Sequence, residues 1–336
     1  MKNNVSIKTI ADKLQISMST VSRALHGNTR IGLKTREKVN ELAKELHYVP
    51  NPGNVYLQGK QTYEIGIIVP ALKEEFFVKI IDVLENELRP LGYHLHIFQS
   101  QENEDCQIRA LDYFKKMRVD GILCSLASNT KRYDKFLEVE EFGIPIVFFD
   151  RTPRGISSFS VKSNTEGGAL KVMEFLKNKG INKVALINGP ANLDTSGDRL
   201  NGYLMGVEKF RMESSPSLIK SVALTPESVL EVVKEFVSAK CLPEAVFTFN
   251  DYIALYLMKA MKNLGLEPNK DMLIASYGNL PFISHLENPP IVSVEQFPER
   301  LGLSALEMLL KRIDSEEPMK PHFKMIDTEL VIYPRG

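Results

Sequence analysis

Two groups of residues in this 336-residue chain have types and spacing that can do chemistry. Near the N-terminus, Met18, Ser19, Ser22 and Arg23 fall on one side of a helical repeat whose other side holds Val21, Ala24 and Leu25. An arginine presented in this way can donate two parallel N–H bonds to the O6 and N7 edge of guanine. A methionine can cover a thymine methyl, and a serine tolerates several base edges. Far downstream, Asp150 and Arg151 close the apolar run 146–149, Asn250 and Asp251 follow the run 245–249, and Arg199 opens a helical stretch. A carboxylate and a guanidinium facing one cleft can grip hydroxyls or an acid group through charge-assisted hydrogen bonds.

The first group needs short helices to hold it. Ser6 can cap a helix whose apolar positions Ile7, Ile10, Ala11 and Leu14 follow a helical period, and the pattern breaks at Gln15-Ile16. Ser17 serves as a second cap, and His26-Gly27 ends the helix that follows. A third helix, from about Lys34 to Leu46, places Val39, Leu42, Ala43 and Leu46 on one stripe. Three short helices, the first two tightly joined, make a helix-turn-helix bundle. By period alone, a generic helical cap on another domain fits as well.

The second group needs strand ends. From Glu64 onward, short apolar runs (65–69, 94–98, 121–126, 146–149, 184–187, 245–249 and 273–276) alternate with amphipathic helical patterns such as 76–88 and 106–117. Continuous apolar strands separated by helices predict parallel sheets covered on both faces. More than nine such units over about 270 residues predict two sheets. Ligands of open parallel sheets bind beyond the carboxyl ends of the strands, where the second group lies.

Charge distribution separates the two regions. Residues 1–62 hold ten of the 42 Lys and Arg but only four of the 42 Asp and Glu, so a basic head precedes an acidic body. Such a head suits a module that meets phosphates through one end. Polar residues interrupt every apolar run of the first twenty, and no later run approaches the roughly 18 apolar residues of a membrane helix. A cytoplasmic protein that meets no membrane is therefore expected. Cys106, Cys124 and Cys241 are odd in number and widely spaced, which reads as buried small hydrophobes and fits neither a disulfide framework nor a zinc site. The six His are scattered, and neither a phosphate-cradling glycine loop nor a nucleophile elbow occurs. No cofactor, metal site or catalytic residue is expected, and the chain does not read as an enzyme. A transport-type binding protein would need an export signal, which this N-terminus does not supply.

The run IKTIADKLQISMSTVSRALHG, followed by TREKVNELAKELHYVPN, closely resembles the head of the LacI family of bacterial regulators in order and spacing. Ser17, the 20–23 run, the 35–39 run and the 48–51 run are its most specific parts. The resemblance implies that Met18, Ser19 and Arg23 read bases in the major groove, while Ser6, Ser17, Thr20, Ser22 and Tyr48 contact phosphates. His26 stands where the family often has Asn. Leu57 matches the leucine that a family hinge helix pushes into the minor groove, with Asn51 as N-cap and Pro52 at N1. Gly53 and Asn54 are weak helix formers in that segment, so a disordered tether stays open as the alternative.

The body carries IGIIVP, VDGILCS, GIPIVFFDR, INKVALINGP and AVFTFND, which resemble the periplasmic-binding-protein-like sensor of the same family. The implied fold class is α/β: an all-α head, then two doubly wound parallel-sheet lobes. Expected boundaries are 1–49 for the head, 50–62 for the hinge and 63–336 for the sensor. The first lobe would take about 63–160 plus 297–320, and the second about 161–296 plus 321–336. Asp150, Arg151, Arg199, Asn250 and Asp251 match effector-contacting positions, with Phe77 as an apolar ring face and Gln296 as a polar contact. Three departures stand out. Gly278 ends a motif that usually closes in Asp, Ser163 replaces a common Asp, and Ala71 and Glu74 replace polar first-loop residues. Glu74 could favour a cationic ligand. The implied protein is a homodimeric repressor on pseudo-palindromic operator DNA, controlled by a sugar or sugar derivative between the lobes.

Overall fold

The computed structural model describes residues 5–25, 28–46, 48, 61–153, 155–239 and 242–333. The chain divides into two compact units, Met1–Thr62 and Tyr63–Gly336. His26 and Leu57 lie outside the described residues, as does the segment 49–60.

The first unit is three helices: α1 (Ile7–Leu14), α2 (Met18–Leu25) and α3 (Leu33–Glu45). Ser6 starts α1 with a capping box. Its Oγ accepts the Thr9 N–H at 3.3 Å, and the Thr9 Oγ1 accepts the Ser6 N–H at 3.2 Å. Gln15 ends the helix in the left-handed conformation, which turns the chain toward α2 within three residues. Ile10, Ala11, Val21, Ala24, Val39 and Ala43 form the core, with Leu42, Leu46 and Tyr48 packed against it. Burying each large apolar side chain contributes about 1.5–3 kcal/mol, so a bundle this small depends on nearly all of them.

The second unit holds two six-stranded sheets. The first lobe contains β1 (Glu64–Val69), α4 (Glu75–Leu88), β2 (His94–Gln99), α5 (Glu104–Met117), β3 (Gly121–Cys124), α6 (Asp134–Glu141), β4 (Ile146–Phe149) and β5 (Ser160–Ser163). The second contains α7 (Thr165–Asn178), β6 (Val184–Asn188), α8 (Asp194–Lys209), β7 (Ile219–Ser221), α9 (Pro226–Ser238), β8 (Ala245–Thr248), α10 (Asp251–Asn263), β9 (Leu273–Tyr277) and β10 (Val292–Glu295). The chain then returns to the first lobe as α11 (Pro298–Asp314) and β11 (Phe323–Ile326), and ends in the second as β12 (Glu329–Ile332). The sheet orders are β11-β5-β4-β3-β1-β2 and β12-β10-β9-β8-β6-β7, parallel except for the β10–β12 pair.

Two lobe limits differ from the sequence reading. Strand β5 pairs with β4 and β11, so 160–163 and 323–326 both belong to the first sheet. Ser-Val-Lys-Ser and the exposed Phe-Lys-Met-Ile run lack the continuous apolar signature of the inner strands, which hid their membership. The three crossovers are bonded to one another: Ser163 Oγ donates to the Gln296 carbonyl at 3.1 Å, and Asn164 Nδ2 to Asp327 Oδ1 at 3.0 Å. Cys124 is a buried small hydrophobe as expected, and burial pushes its thiol pKa up. Cys106 is only half-buried and its Sγ accepts from Arg109 Nη2 at 2.8 Å, and Cys241 is outside the described residues.

Candidate functional site

On the head, the short turn at 15–17 aims the N-terminal end of α2 outward. Met18 is 55% exposed, and Ser19 and Arg23 are exposed beside it, while Val21 and Ala24 on the opposite face are fully buried. Ser17 caps α2: its Oγ accepts the Thr20 N–H at 3.1 Å and lies 2.8 Å from both the Ser19 and Thr20 hydroxyls. A hydroxyl has one donor and two acceptor positions, so a capping serine can hold its helix and still bond a phosphate oxygen. Ser6 is exposed at the start of α1, Thr20 and Ser22 are half-exposed on α2, and Tyr48 is half-buried against the bundle core.

In the second unit, the strand ends converge on a cleft between the lobes of about 690 Å³, counted out to its mouth. The first lobe contributes Glu74, Phe77, Glu102, Asp150 and Arg151, and the second Thr195, Arg199, Phe249, Asn250, Tyr252 and Tyr277, with Gln296 at a crossover. Asp150 has φ +59, a left-handed turn that the short Asp side chain tolerates, and this swings its carboxylate off the end of β4 into the cleft. Arg151 Nη1 donates to both oxygens of Glu102, at 2.6 and 2.8 Å. Glu102 itself sits on a turn where both Gln101 and Glu102 have positive φ.

Arg199 is only 4% exposed. Its guanidinium carbon stands 4.3 Å from the ring centroids of both Phe249 and Tyr277, so the plane is clasped between two aromatic faces. Nη1 donates to the Thr195 carbonyl at 3.0 Å, and buried Nε has no partner among the described residues. None of their carboxylates forms an ion pair with it, and desolvation lowers its pKa from the arginine value. A buried cation held by rings with an unsatisfied N–H is prepared to bond a ligand oxygen.

The comparisons with known proteins agree over both units. Residues 6–51 match the family described as "Bacterial regulatory proteins, lacI family", and residues 62–328 match "Periplasmic binding proteins and sugar binding domain of LacI family". The chain belongs to the LacI family. A relative named "HTH-type transcriptional repressor PurR" from Histophilus somni (strain 129Pt) is 28% identical over 327 residues, covering 97% of each chain. The lac repressor dimer bound to operator and the anti-inducer ONPF superposes with TM-score 0.81 at 22% identity, covering 98% of each chain. The transcriptional regulator CelR in complex with cellobiose gives 0.73 at 24%, covering 99% of this chain and 100% of that one. As a LacI-family protein, the chain is a DNA-binding transcription regulator with a ligand-sensing domain, and its relatives are repressors, not enzymes. No helix among the described residues is long and apolar enough to cross a membrane.

Within this LacI-family cleft, Phe77, Asp150, Arg151, Arg199, Asn250 and Gln296 line the cavity. Phe77 is almost wholly buried in the first-lobe core and only borders the cleft. Asp251 does not line it. Its side chain is fully buried, with Oδ2 accepting the Leu280 N–H at 2.7 Å and Oδ1 accepting the Ser293 hydroxyl at 2.9 Å. Asn250 takes the N-cap of α10 through the Ile253 N–H at 3.0 Å, and Asp251, one helical step on, turns beneath the β9–β10 loop. Its carboxylate therefore ties that loop down, and burial raises its pKa to about 6.

Sequence reasoning overlooked Glu102, Thr195, Phe249, Tyr252 and Tyr277. Glu102 had one usable signal, an acidic residue just past the carboxyl end of an apolar strand. Tyr277 and Phe249 look like ordinary strand hydrophobes, and only the third dimension shows that Arg199 lies between them.

Proposed function

We propose that the chain is a repressor that binds a pseudo-palindromic operator as a homodimer, with Met18, Ser19 and Arg23 reading bases in the major groove. Ser6, Ser17, Thr20, Ser22 and Tyr48 anchor the head on phosphates, contacts that fix register without reading sequence. A sugar or sugar derivative bound between the lobes changes the lobe arrangement and thereby operator affinity, by a coupling of about 1–3 kcal/mol. The relatives named as repressors and the solved regulators bound to operator or to cellobiose support this reading.

The observation that carries it is the clasped Arg199 guanidinium, buried in a cleft with no counter-charge from the described residues within ion-pair distance. A buried cation left this way weakens the free fold, and ligand oxygens offset that cost. A purely structural arginine would be paired.

Selection of binding sites from randomised duplex DNA tests the DNA half. The recovered sites should be two inverted half-sites, bound tightly by the full chain. Unselected, salt-labile binding to any duplex would contradict it.

A further inference from the structure

The cleft holds more negative charge than its own cations neutralise. Glu74, Glu75, Glu102 and Asp150 line it against Arg151 and Arg199. Arg151 is committed to Glu102 through both carboxylate oxygens and approaches Asp150 only at 3.9 Å. Glu74 stands at the N-cap of α4 but makes no cap bond. Asp150 is 7% exposed, and its carboxylate accepts no hydrogen bond from the described residues. Lys73 lines the outer mouth of the cleft but not the inner cavity. Burial raises the pKa of both Glu74 and Asp150, as expected of anions removed from water without full compensation.

The walls also differ in sign. The carboxylates belong to the first lobe, whereas the clasped guanidinium of Arg199 belongs to the second. An acidic sugar would satisfy Arg199 but confront the carboxylates, and a neutral sugar would leave half-buried Glu74 with only Arg151, already bonded to Glu102, and the exposed Lys73 to offset its charge. A ligand with an ammonium group at one end and hydroxyls at the other meets both walls and favours their approach.

We infer that the effector is an amino sugar or a similar amino polyol, its protonated amine set against Glu74 and Asp150 and its hydroxyl oxygens toward Arg199. This rests on the cleft being the effector site. Glu74 is then a specificity-determining residue, selecting charge where Arg199 selects oxygen.

Calorimetric titration of the full chain with matched sets tests it: glucosamine, galactosamine and mannosamine, each against its parent sugar, which has a hydroxyl in place of the amine, and its N-acetyl derivative, which keeps the nitrogen but removes its charge. At least one free amine should bind about tenfold or more tightly than both of its neutral counterparts, and Glu74→Gln should erase most of that ratio. The inference is overturned when no amine in the set outbinds its neutral counterparts, or when the preference survives Glu74→Gln. A neutral sugar that binds and shifts operator affinity while the amines do not would sink the amine assignment and leave effector control standing. Cleft binding by any of these probes without a change in operator affinity would sink effector control instead.

Discussion

The Lys162 ammonium lies 2.6 Å from the carboxylate of Asp198, and the two residues belong to different lobes. Lys162 is on β5 of the first sheet, and Asp198 is on α8, immediately before Arg199. The pair therefore bridges the lobes beside the cleft, so relative lobe motion must stretch or break it. Both side chains keep partial solvent contact, which limits what the pair contributes. A double-mutant cycle with Lys162→Met and Asp198→Asn, read by urea unfolding, should give a coupling of about 1 kcal/mol or less but measurably above zero. A coupling of zero would remove the bridge from the account.

Arg199→Ala should abolish the thermal stabilisation given by any cleft ligand, with a binding loss of about 2–5 kcal/mol, typical of truncating one partner of a buried charged contact. Arg199→Lys should not rescue it. An ammonium cannot fill the flat slot between Phe249 and Tyr277 or present in-plane donors. Full rescue by lysine would show that charge alone matters.

Arg23→Ala should lower operator affinity unevenly across single-base variants, by about 1–3 kcal/mol where a guanine is read and by little elsewhere. Electrophoretic titration over a variant panel at fixed salt measures this. Equal loss on every variant would make Arg23 a phosphate contact.

Asp251 predicts a pH signature. Its carboxyl pKa is raised from 3.8 to about 6 in the folded chain, because burial disfavours the ionised form. Well below pH 3.8 both states hold the proton; between 3.8 and about 6 the folded state keeps it while the unfolded state has lost it, so stability falls by up to about 3 kcal/mol as pH rises across that window. Asp251→Asn removes the titration. Relative to that variant, the wild-type chain should lose stability as pH rises from about 3.5 to about 6.5 in denaturant unfolding. A constant difference would refute the buried, titrating carboxyl.

Gly202 packs α8 onto α7, and a Cβ there would fall 2.2 Å from the Glu166 carbonyl oxygen and 2.7 Å from the Ala169 Cβ. Neither backbone can retreat easily within a helix pair. Gly202→Ala should therefore destabilise the sensor by about 1–3 kcal/mol despite alanine's better helix propensity. A stabilised variant would mean that the helices can separate there at little cost.

How much of this was legible in the sequence depended on burial symmetry. Inner strands such as β1 and β8 are buried on both faces and so read as unbroken apolar runs. Strands β5 and β11 pair side by side at the margin of the first sheet, where polar residues are tolerated, and their lobe membership stayed hidden. In the head, helical period and capping serines fixed the face that carries Met18, Ser19 and Arg23, since every residue of so small a bundle is either core or surface. The cleft was harder. Asn250 and Asp251 are adjacent and chemically similar, yet one lines the cavity and the other ties down a loop, because Asn250 is the extended N-cap and Asp251 the first residue of α10. Nothing local marks Phe249 and Tyr277 as the clasp of Arg199, because Phe249 follows β8, Tyr277 ends β9 and Arg199 lies on α8.

The central claim is that occupancy of the cleft is felt at the operator. The most direct measurement is operator affinity of the full chain at fixed salt, with and without a saturating ligand chosen because it raises the melting temperature in a screen of sugars, sugar acids and amino sugars. The expected result is a change of about fivefold or more, with the operator altering ligand affinity by the same factor. A ligand that binds the cleft and leaves operator affinity unchanged would contradict the claim.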